Sequence, residues 1–410
     1  MFENINLVLE NGLTYFRFSN SYAEFVKKKL IKQYSDSDSK SIDDIQVALT
    51  SSGMQAISTI MHVVMSSWGW EKDACIVLGD EMYCDTPRAA FLQWEHGTRV
   101  YKVTIEDNDK VINLFEEKLK NQKVLFLIEP CTNPNGNIFD FSIVPKLRQL
   151  CKKLILVADI TWTPEFNPLK LGADAIALSL TKHHSGSSCI MGAVISPAYT
   201  CGDECECGKL PEPELVEDIS DEQLHEMMNG GNASVRFGMN EFSSAIAMEG
   251  GPLDIALKVS EWINASGGHI SPYDSSILLE KIIYFTERID SAYNETIKLA
   301  SELEKKEWVK KVNYPRLPSH PSFKLAIKYN MRPTVLNVLM TIPGSIIKVE
   351  KMLKSRKHIR FATSYGGPEC RIDPWYKKIP DTSNYWIRLA VGYESKVENI
   401  ISDLEECMLT

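Results

Sequence analysis

Two charged side chains lie where strand-length apolar runs end. Asp159 is near the end of LILVADI (154–160), and Lys182 follows the next such run, DAIALSL (174–180). If the two runs are neighbouring strands of a parallel sheet, both side chains reach the same edge. A lysine there can form a Schiff base and an aspartate can keep a pyridine nitrogen protonated, which are the two protein groups that a pyridoxal 5'-phosphate (PLP) enzyme requires. The alternative is structural: a lysine stem on apolar surface and a strand-end aspartate.

A phosphate-binding segment is the second candidate element. SSGMQA (51–56) leads into the helical pattern MQAISTIMHVV (54–64), and free N–H groups at a helix N-terminus bind anions. The hydroxyls of Ser179 and Thr181 are expected to donate to the same phosphate. The alternative is an ordinary helix cap, because serine is a preferred residue at that position.

The segments that position these groups alternate between strand and helix. Between residues 45 and 200, apolar runs of strand length are separated by runs with helical spacing. Unbroken apolar runs are typical of strands buried on both faces, and their alternation with helices predicts an α/β domain with a mainly parallel sheet. Its ligand site is expected at the carboxyl ends of the strands. The predicted strands are 75–79, 123–129, 154–160, 174–180 and 189–196, and the predicted helices are 54–64, 86–94, 113–121 and 143–153.

The remainder of the chain changes character. The stretch from about 200 to 250 is acidic and glycine-rich and is predicted to be an excursion between strands, partly helical around Asp221–Met228. A smaller α+β C-terminal domain is expected after it. Its predicted elements are a long helical pattern from Ile277 to Lys306, short strands near 345–350 and 385–391, and a final helix near Lys396–Met408.

Composition excludes several classes of function. The 410 residues carry a formal charge of −9, with 44% hydrophobic and 24% charged residues, which is typical of a folded globular protein. The acidic pI, near 5.5, argues against a nucleic-acid-binding protein, which normally has a basic face. No apolar run approaches the roughly 18 residues that span a bilayer, and the first residues lack a signal-peptide pattern. Membrane insertion and secretion are not expected, and the predicted location is the cytoplasm.

Cysteines and histidines give no strong metal signal. The ten cysteines are predicted to be reduced thiols. Cys201, Cys205 and Cys207 form one cluster, but a closed zinc site needs four ligands, so a solvated acidic loop is the preferred interpretation. His183 and His184 are adjacent, and neighbours in an extended segment point apart. No metal site is predicted.

Several segments together resemble one family. SSGMQA (51–56), GDEMY (79–83), EPCTNP (129–134) and DITWTPEFNPLKLGADAIALSLTK (159–182) are similar to motifs of the Cys/Met-metabolism family of PLP enzymes, which contains cystathionine synthases and lyases and methionine lyases. The similarity follows the family's order and covers almost the whole chain apart from about 200–250. It continues in TYFRFSNSYAEFVKKKL (14–30), GGHISPYDSSILL (267–279), YPRLPSHP (314–321), TSYGGPE (363–369) and IRLAVGYE (387–394).

The resemblance implies a fold and an assembly. The fold is that of the PLP-dependent transferases, aspartate aminotransferase-like and of fold type I. It implies an N-terminal arm over 1–45 that contacts the neighbouring subunit, a PLP-binding α/β domain over 46–280 and a C-terminal α+β domain over 281–410. The implied assembly is a homo-oligomer, at least a dimer and expected to be a tetramer of two dimers.

The resemblance also implies residue roles. Lys182 matches the Schiff-base lysine that moves protons, Asp159 the partner of the pyridine nitrogen, and Tyr83 the residue that stacks on the ring and helps to deprotonate the incoming amine. Arg388 and Ser364 match the residues that bind the α-carboxylate of an amino-acid substrate. The other implied cofactor-binding residues are Ser52, Gly53, Met54, Asn133, Thr161, Ser179 and Thr181, with Tyr15 and Arg17 supplied by the neighbouring subunit.

Some positions depart from the family pattern, which puts ordinary cystathionine or methionine processing in question. They include KHHSGSSC (182–189), YCDT (83–86) and SYG (364–366). Asp85 falls where the family usually has a small neutral residue in the pocket for the distal end of the substrate. Two interpretations stay open: a carboxylate that binds a basic or hydrogen-bonding group of the substrate, or a cap of the helix predicted from Thr86.

Three functions follow from these residues. The leading hypothesis is PLP-dependent γ-elimination or γ-replacement on an amino acid, with Lys182 moving protons at Cα and Cβ. The second is β-elimination from a sulfur amino acid. The third is a cofactor-binding protein without turnover, against which the complete set of Lys182, Asp159, Tyr83 and Arg388 argues.

Overall fold

The computed structural model describes residues 20–35, 45–70, 72–94, 96–198, 254–374 and 376–408. Several sequence predictions lie outside these residues and stay predictions. They are most of the N-terminal arm with Tyr15 and Arg17, and the 200–250 excursion with its helix around Asp221–Met228 and with Cys201, Cys205 and Cys207.

A seven-stranded sheet forms the larger layer, in the strand order β1-β7-β6-β5-β4-β2-β3. Its last strand in sequence, β7, is antiparallel to both of its neighbours, and the other described pairs are parallel. The predicted mainly parallel sheet is therefore confirmed. The strands are β1 (Ile45–Thr50), β2 (Ala74–Gly79), β3 (Arg99–Val103), β4 (Lys123–Ile128), β5 (Lys153–Asp159), β6 (Ala175–Ser179) and β7 (Gly192–Pro197).

Amphipathic helices cover this sheet. The helix Gly53–Ser67 shows the reason: Ile57, Ile60, Met61 and Val64 recur at helical spacing and are all buried. Short 3-10 turns at Phe141–Ile143 and Pro168–Leu171 complete the connections. The helices of this part are α1 (Ser21–Tyr34), α2 (Gly53–Ser67), α3 (Thr86–Trp94), α4 (Asn108–Lys118), α5 (Val144–Leu150), α6 (Ile255–Ser266) and α7 (Pro272–Ile282).

A second, smaller sheet follows, as predicted for the C-terminal part. Its order is β10-β11-β13-β9-β8, with β12 paired to β13, and its described pairs are antiparallel except β10 with β11. The strands are β8 (Val309–Asn313), β9 (Val335–Thr341), β10 (Ile359–Phe361), β11 (Cys370–Ile372), β12 (Lys377–Lys378) and β13 (Asn384–Ala390). The helices are α8 (Phe285–Leu303), α9 (Phe323–Lys328), α10 (Ile346–Leu353) and α11 (Val397–Met408).

Two predictions in this region need correction. The strand predicted near 345–350 is wrong, because Ile346–Leu353 is helix α10. Ser345 accepts a hydrogen bond from Ile347 N at its start, and Val349 and Leu353, four residues apart, are buried on one face. The single long helix predicted over 277–306 is two helices, α7 and α8, that break at the exposed residues Ile283 and Tyr284.

The sheet topology brings the candidate residues to one edge. Strands β5 and β6 are parallel neighbours, with Asp159 opposite Ala177, so Lys182 leaves the sheet at the same end as Asp159. Strands β2 and β4, also parallel neighbours, end shortly before Tyr83 and Asn133. The expectation of a shared carboxyl edge is confirmed.

None of the described helices is long and apolar enough to cross a membrane.

The close approach of β7 to the turn before α2 allows no side chain at Gly192. A Cβ there would lie 2.4 Å from the carbonyl oxygen of Ser52 and 2.5 Å from Thr50 Oγ1. We expect Gly192→Ala to lower the free energy of unfolding by about 1–3 kcal/mol, because backbone must move. Urea unfolding measures this. Gly79→Ala is the control: its methyl meets side chains, nearest Ile105 Cγ2 at 3.1 Å, so an equal loss in both variants would contradict the prediction.

Candidate active site

Asp159 is a buried carboxylate at the end of β5, only 8% exposed. Its Oδ1 accepts a hydrogen bond from Thr161 N at 3.0 Å. Burial raises its pKa, and none of the ion pairs found between described residues includes it. A buried carboxylate is stabilised by a cation or an N–H donor. Its surroundings therefore suit the protonated nitrogen of a heterocycle.

Lys182 lies in the turn after β6, in contact with a loop of the C-terminal region. Its Nζ donates to Ser364 Oγ at 2.7 Å and lies 5.4 Å from the centre of the Tyr365 ring. Burial, and then the positive charges of Arg388 and Arg371, lower the pKa of Lys182. A larger neutral fraction makes the amine a better nucleophile and proton acceptor.

The loop that carries Ser364 packs directly on the main chain of Lys182. A Cβ at Gly366 would lie 2.5 Å from the carbonyl carbon of Lys182, and Gly366 has a φ of 83°. Only glycine fits such an approach in this conformation. The loop therefore fixes the lysine main chain as well as its amine.

The N-terminus of α2 faces the end of β6. Helix α2 begins at Gly53, and Ser52 Oγ caps it by accepting from Gln55 N at 3.1 Å, so the cap interpretation holds for Ser52. A Cβ at Gly53 would lie 2.6 Å from Ser179 Cβ, so the first N–H groups of the helix lie beside Ser179. Those N–H groups have no intrahelical partner and can bind an anion. Cap and anion cradle therefore coexist here.

Two neighbouring hydroxyl groups are already bonded inside the protein. Thr161 Oγ1 accepts from Ser179 N at 2.8 Å, so Thr161 links the ends of β5 and β6. Thr181 Oγ1 donates to the Met191 carbonyl at 3.2 Å and accepts from Met191 N at 3.1 Å. Both functions of the Thr181 hydroxyl are thus used, whereas the sequence predicted that it donates to phosphate.

Tyr83 lies at this edge in the loop after β2, and the residue is 43% exposed. Its backbone N–H donates to the carboxylate of Glu129, which is buried at the end of β4. Burial, and then the charge of Asp159, raise the pKa of Glu129 well above its usual range. Sequence reasoning gave Glu129 no role, although a carboxylate that ends the apolar run KVLFLIE (123–129) was the available signal.

Arg388 lies on β13 and reaches toward the large sheet. Its Nη1 donates to Asn133 Oδ1 at 3.1 Å, and its Nη2 pairs with the buried carboxylate of Asp373. Asn133 was predicted to contact the cofactor, whereas Asp373 was not predicted at all. These two partners orient a guanidinium group that has five N–H donors. The remaining N–H donors of the guanidinium can bind a carboxylate.

Asp85 directly precedes α3 and has features of both interpretations. Its carbonyl accepts from Ala89 N at 2.9 Å, as at a helix start, while its Oδ1 accepts from Arg88 Nη1 at 2.7 Å. The residue also lines a cavity of about 770 Å³, so the ion pair belongs to the cavity wall. The other lining residues are Met54, Gln55, Ser58, Pro87, Arg88, Ala89, Phe91 and Leu92.

His183 and His184 diverge after Lys182. His183 Nε2 lies 3.5 Å from Thr334 Oγ1, while His184 stacks on Phe285 with ring centres 4.2 Å apart. Within the described ranges, no group of three or more His, Cys, Asp or Glu side chains could hold a metal ion. The two rings therefore act as packed neutral side chains.

The residues present fit PLP. Asp159 is a buried carboxylate without an ion-pair partner in the described chain, which suits a protonated pyridine nitrogen. Gly53 and Ser179 form a cradle that a Cβ would fill, at a helix N-terminus that suits the phosphate. Lys182 supplies an amine with a lowered pKa, and Tyr83 an exposed ring that can cover a flat cofactor.

The comparison with protein families agrees with this chemistry. The family model of the Cys/Met metabolism PLP-dependent enzymes matches residues 9–409 of the sequence. The chain belongs to this family. It is therefore a PLP-dependent enzyme, as the sequence predicted.

Individual relatives in this family differ in reaction. An L-methionine gamma-lyase of Fusobacterium nucleatum subsp. polymorphum is 23% identical, over 97% of this chain and 86% of the relative. A cystathionine beta-lyase of Schizosaccharomyces pombe is 26% identical, over 88% of this chain and 79% of the relative. The crystal structure of a cystathionine gamma synthase from Xanthomonas oryzae pv. oryzae has the same fold, with a TM-score of 0.70, 19% identity and coverage of 96% and 87%. The predicted fold type I architecture is confirmed.

The buried histidines predict acid sensitivity. Burial lowers the pKa of His183 and His184 to about 3 each, against about 6.5 in an unfolded chain. Between these values the unfolded chain binds more protons, so the free energy of unfolding falls as the pH decreases through this window. We expect each histidine to contribute up to about 1.4 kcal/mol per pH unit.

His184→Gln tests this expectation through the slope of unfolding free energy against pH. Between about pH 6 and pH 4 the slope should decrease by roughly one proton, or about 1.4 kcal/mol per pH unit. Urea unfolding at stepped pH measures it, and His358→Gln, away from this turn, controls for the loss of a histidine. An unchanged slope in His184→Gln would show that His184 is not held neutral.

Proposed function

We propose that the chain catalyses γ-elimination or γ-replacement on an α-amino acid, with Lys182 as the site of covalent attachment of PLP. The observation that carries the proposal is the position of Lys182 Nζ, 2.7 Å from Ser364 Oγ at the edge that also holds Asp159. The family membership and the relatives named as gamma-lyase and gamma synthase support it.

The side chains at this edge would bind and orient the cofactor. When bound, PLP delocalises the electron pair that a substrate releases at its Cα. The Asp159 carboxylate would stabilise the positive charge on the ring nitrogen, and the Tyr83 ring would cover one face of the cofactor. Ser179 and the N–H groups of Gly53 and Met54 would hold the phosphate.

Lys182 is the group that moves protons in this proposal. Its lowered pKa lets the amine accept a proton from Cα of the substrate. Once the amine has passed that proton on to the cofactor, it can accept a second proton from Cβ before a group on Cγ departs. Ser364 Oγ accepts a hydrogen bond from the same amine and so keeps it aimed at one side of the site. After departure of the γ-group, water completes elimination or another nucleophile completes replacement.

Arg388 would bind the α-carboxylate of the substrate. A planar guanidinium matches the two oxygens of a carboxylate, and Asn133 and Asp373 fix its plane. Asp373 also compensates the charge of Arg388 before substrate arrives. A substrate carboxylate therefore enters as a second anion beside a buried ion pair, and Arg371 is a further cation close to Lys182.

The proposal includes an assembly and a location. The side chains of Phe91, Leu92 and Trp94 on α3 are apolar and exposed, and Phe91 and Leu92 line the same cavity as Asp85. An exposed apolar patch of this kind supports a homo-oligomer, at least a dimer. Supply of Tyr15 and Arg17 by a neighbouring subunit, a tetrameric state and a cytoplasmic location are further parts of the proposal that come from the sequence.

A labelling experiment tests the attachment site. After loading with PLP and reduction with borohydride, peptide mapping is expected to place the pyridoxyl group on Lys182, because its amine has the lowered pKa at this edge. A label on another lysine would contradict the assignment.

A product screen by mass spectrometry then tests the reaction, using amino acids with γ- or β-leaving groups and with or without an added thiol. Products of γ-chemistry support the proposal. Products of β-elimination alone favour the second candidate, which the relative named cystathionine beta-lyase supports. Failure to form any product with labelled protein favours binding without turnover.

Two substitutions of Asp85 separate a substrate contact from a helix cap. Asparagine removes the charge but keeps a good N-cap residue, whereas alanine removes both. If the carboxylate contacts a basic distal group, both variants should raise the KM for such substrates by about tenfold or more, as loss of a charge-assisted contact implies. If it only caps α3, Asp85→Ala alone should lose stability, by about 0.5–2 kcal/mol, with unchanged substrate preference.

A further inference from the structure

Arg288 is a buried cation on α8, only 9% exposed. None of the ion pairs between the described residues includes it, and its terminal nitrogens donate to backbone carbonyls instead. Nη1 donates to the Lys281 carbonyl at 2.9 Å, and Nη2 donates to the carbonyls of His183 at 3.0 Å and His184 at 2.7 Å. Two of the three acceptors thus come directly after Lys182.

A buried guanidinium without a carboxylate is costly unless its donors are satisfied. Within the turn after β6, Ser185 N donates to the Leu180 carbonyl and Ser187 N to the Lys182 carbonyl. Gly186 N donates to the His183 carbonyl at 3.3 Å, so this carbonyl accepts from both the turn and Arg288. The His184 carbonyl has no such role in the turn and points to Arg288. The turn therefore supplies both acceptors of Nη2, whereas the buried Nε has no hydrogen-bond partner among the described residues.

The Tyr393 ring and Gly186 lie directly against this contact. The guanidinium carbon lies 5.6 Å from the centre of the Tyr393 ring. A Cβ at Gly186, in the same turn, would lie 3.4 Å from both Arg288 Nε and the Tyr393 ring. A lysine ammonium has no planar fork that could reach two successive carbonyls and lie against this ring.

We propose that Arg288 is a positioning residue that fixes the turn carrying Lys182 to the C-terminal region. On the other side of the same turn, Ser364 accepts from the Lys182 amine and Gly366 packs on the Lys182 main chain. Lys182 is thus held from two sides by residues that follow α7. Among the described residues, only Ser364 accepts a hydrogen bond from Lys182 Nζ. A small displacement of the turn would therefore leave the amine without a hydrogen-bond partner there.

The test compares Arg288→Lys with a matched control, Arg332→Lys. Arg332 also joins the large-sheet region to α8, through Glu165 and Asp290, and lies 4.6 Å from the Tyr293 ring, but it contacts no residue of the Lys182 turn. Three quantities are measured on apo protein: the rate at which PLP is captured, as borohydride-trapped label on Lys182; hydrogen exchange of peptide 180–188; and the free energy of unfolding.

Capture by Arg288→Lys is expected to slow by about tenfold to a hundredfold, the effect of a displacement near 1 Å. Hydrogen exchange of peptide 180–188 should rise in the same variant. Arg332→Lys should change neither the capture rate nor this exchange, even if its free energy of unfolding falls. Equal capture and exchange in the two variants would overturn the proposal. Because the inference rests on the proposed role of Lys182, the wild-type label is read first: a label elsewhere rejects that role, whereas a label on Lys182 with unchanged capture in Arg288→Lys rejects only the present inference.

A second variant covers a failure of Arg288→Lys to fold. Arg288→Gln removes the buried charge and keeps two N–H donors on one nitrogen, so it should fold while losing the fork. Slowed capture in this variant supports the proposal, and wild-type capture overturns it. If neither variant folds while Arg332→Lys does, Arg288 is required for folding rather than for positioning, and the proposal is rejected.

Discussion

The Asp159 carboxylate lies at the end of β5, which is buried from its second residue onward, and no cation of the described chain neutralises it. A second buried carboxylate, Glu129, lies close enough that the charge of Asp159 raises its pKa. Two such groups are tolerated because each accepts backbone N–H donors, from Thr161 and Tyr83. The loops that carry these donors are therefore fixed by the carboxylates, and the same loops present the ring and hydroxyls of the candidate site.

The two positively charged side chains at this edge, Lys182 and Arg388, have different surroundings. Lys182 lies near Arg388 and Arg371, which together with burial favour its neutral form. Arg388 is itself compensated by Asp373, so the site combines one paired guanidinium with one amine that loses its proton easily. This separation of roles suits chemistry in which one cation orients a carboxylate while another group carries protons.

Much of this edge could be predicted from the sequence, and the exceptions have physical reasons. The runs ending at Asp159 and near Lys182 are unbroken because β5 and β6 are central strands, whereas β1 and β3, the two edges of the sheet, were missed. Edge strands carry polar residues, such as Arg99 and Lys102 in β3, so no apolar run marks them. Residues whose partners lie far away in sequence were also missed. Glu129 bonds across 46 residues, Asp373 across 15 and Arg288 across 105, and no local spacing reports such contacts.

The two sheets meet through a polar contact next to Arg388. Asn135 Oδ1 accepts from Asn313 Nδ2 at 3.0 Å and from Asn337 Nδ2 at 2.9 Å, and its carbonyl lies 2.9 Å from His320 Nε2. Asn337 is the cross-strand partner of Arg388, and Asn133, two residues before Asn135, accepts from the same arginine. Because these amides are largely buried, each must keep its partner when the sheets shift. The angle between the sheets and the orientation of Arg388 are therefore coupled. Together with the contact of Ser364 with Lys182, the region of the small sheet sets the positions of both cations of the candidate site.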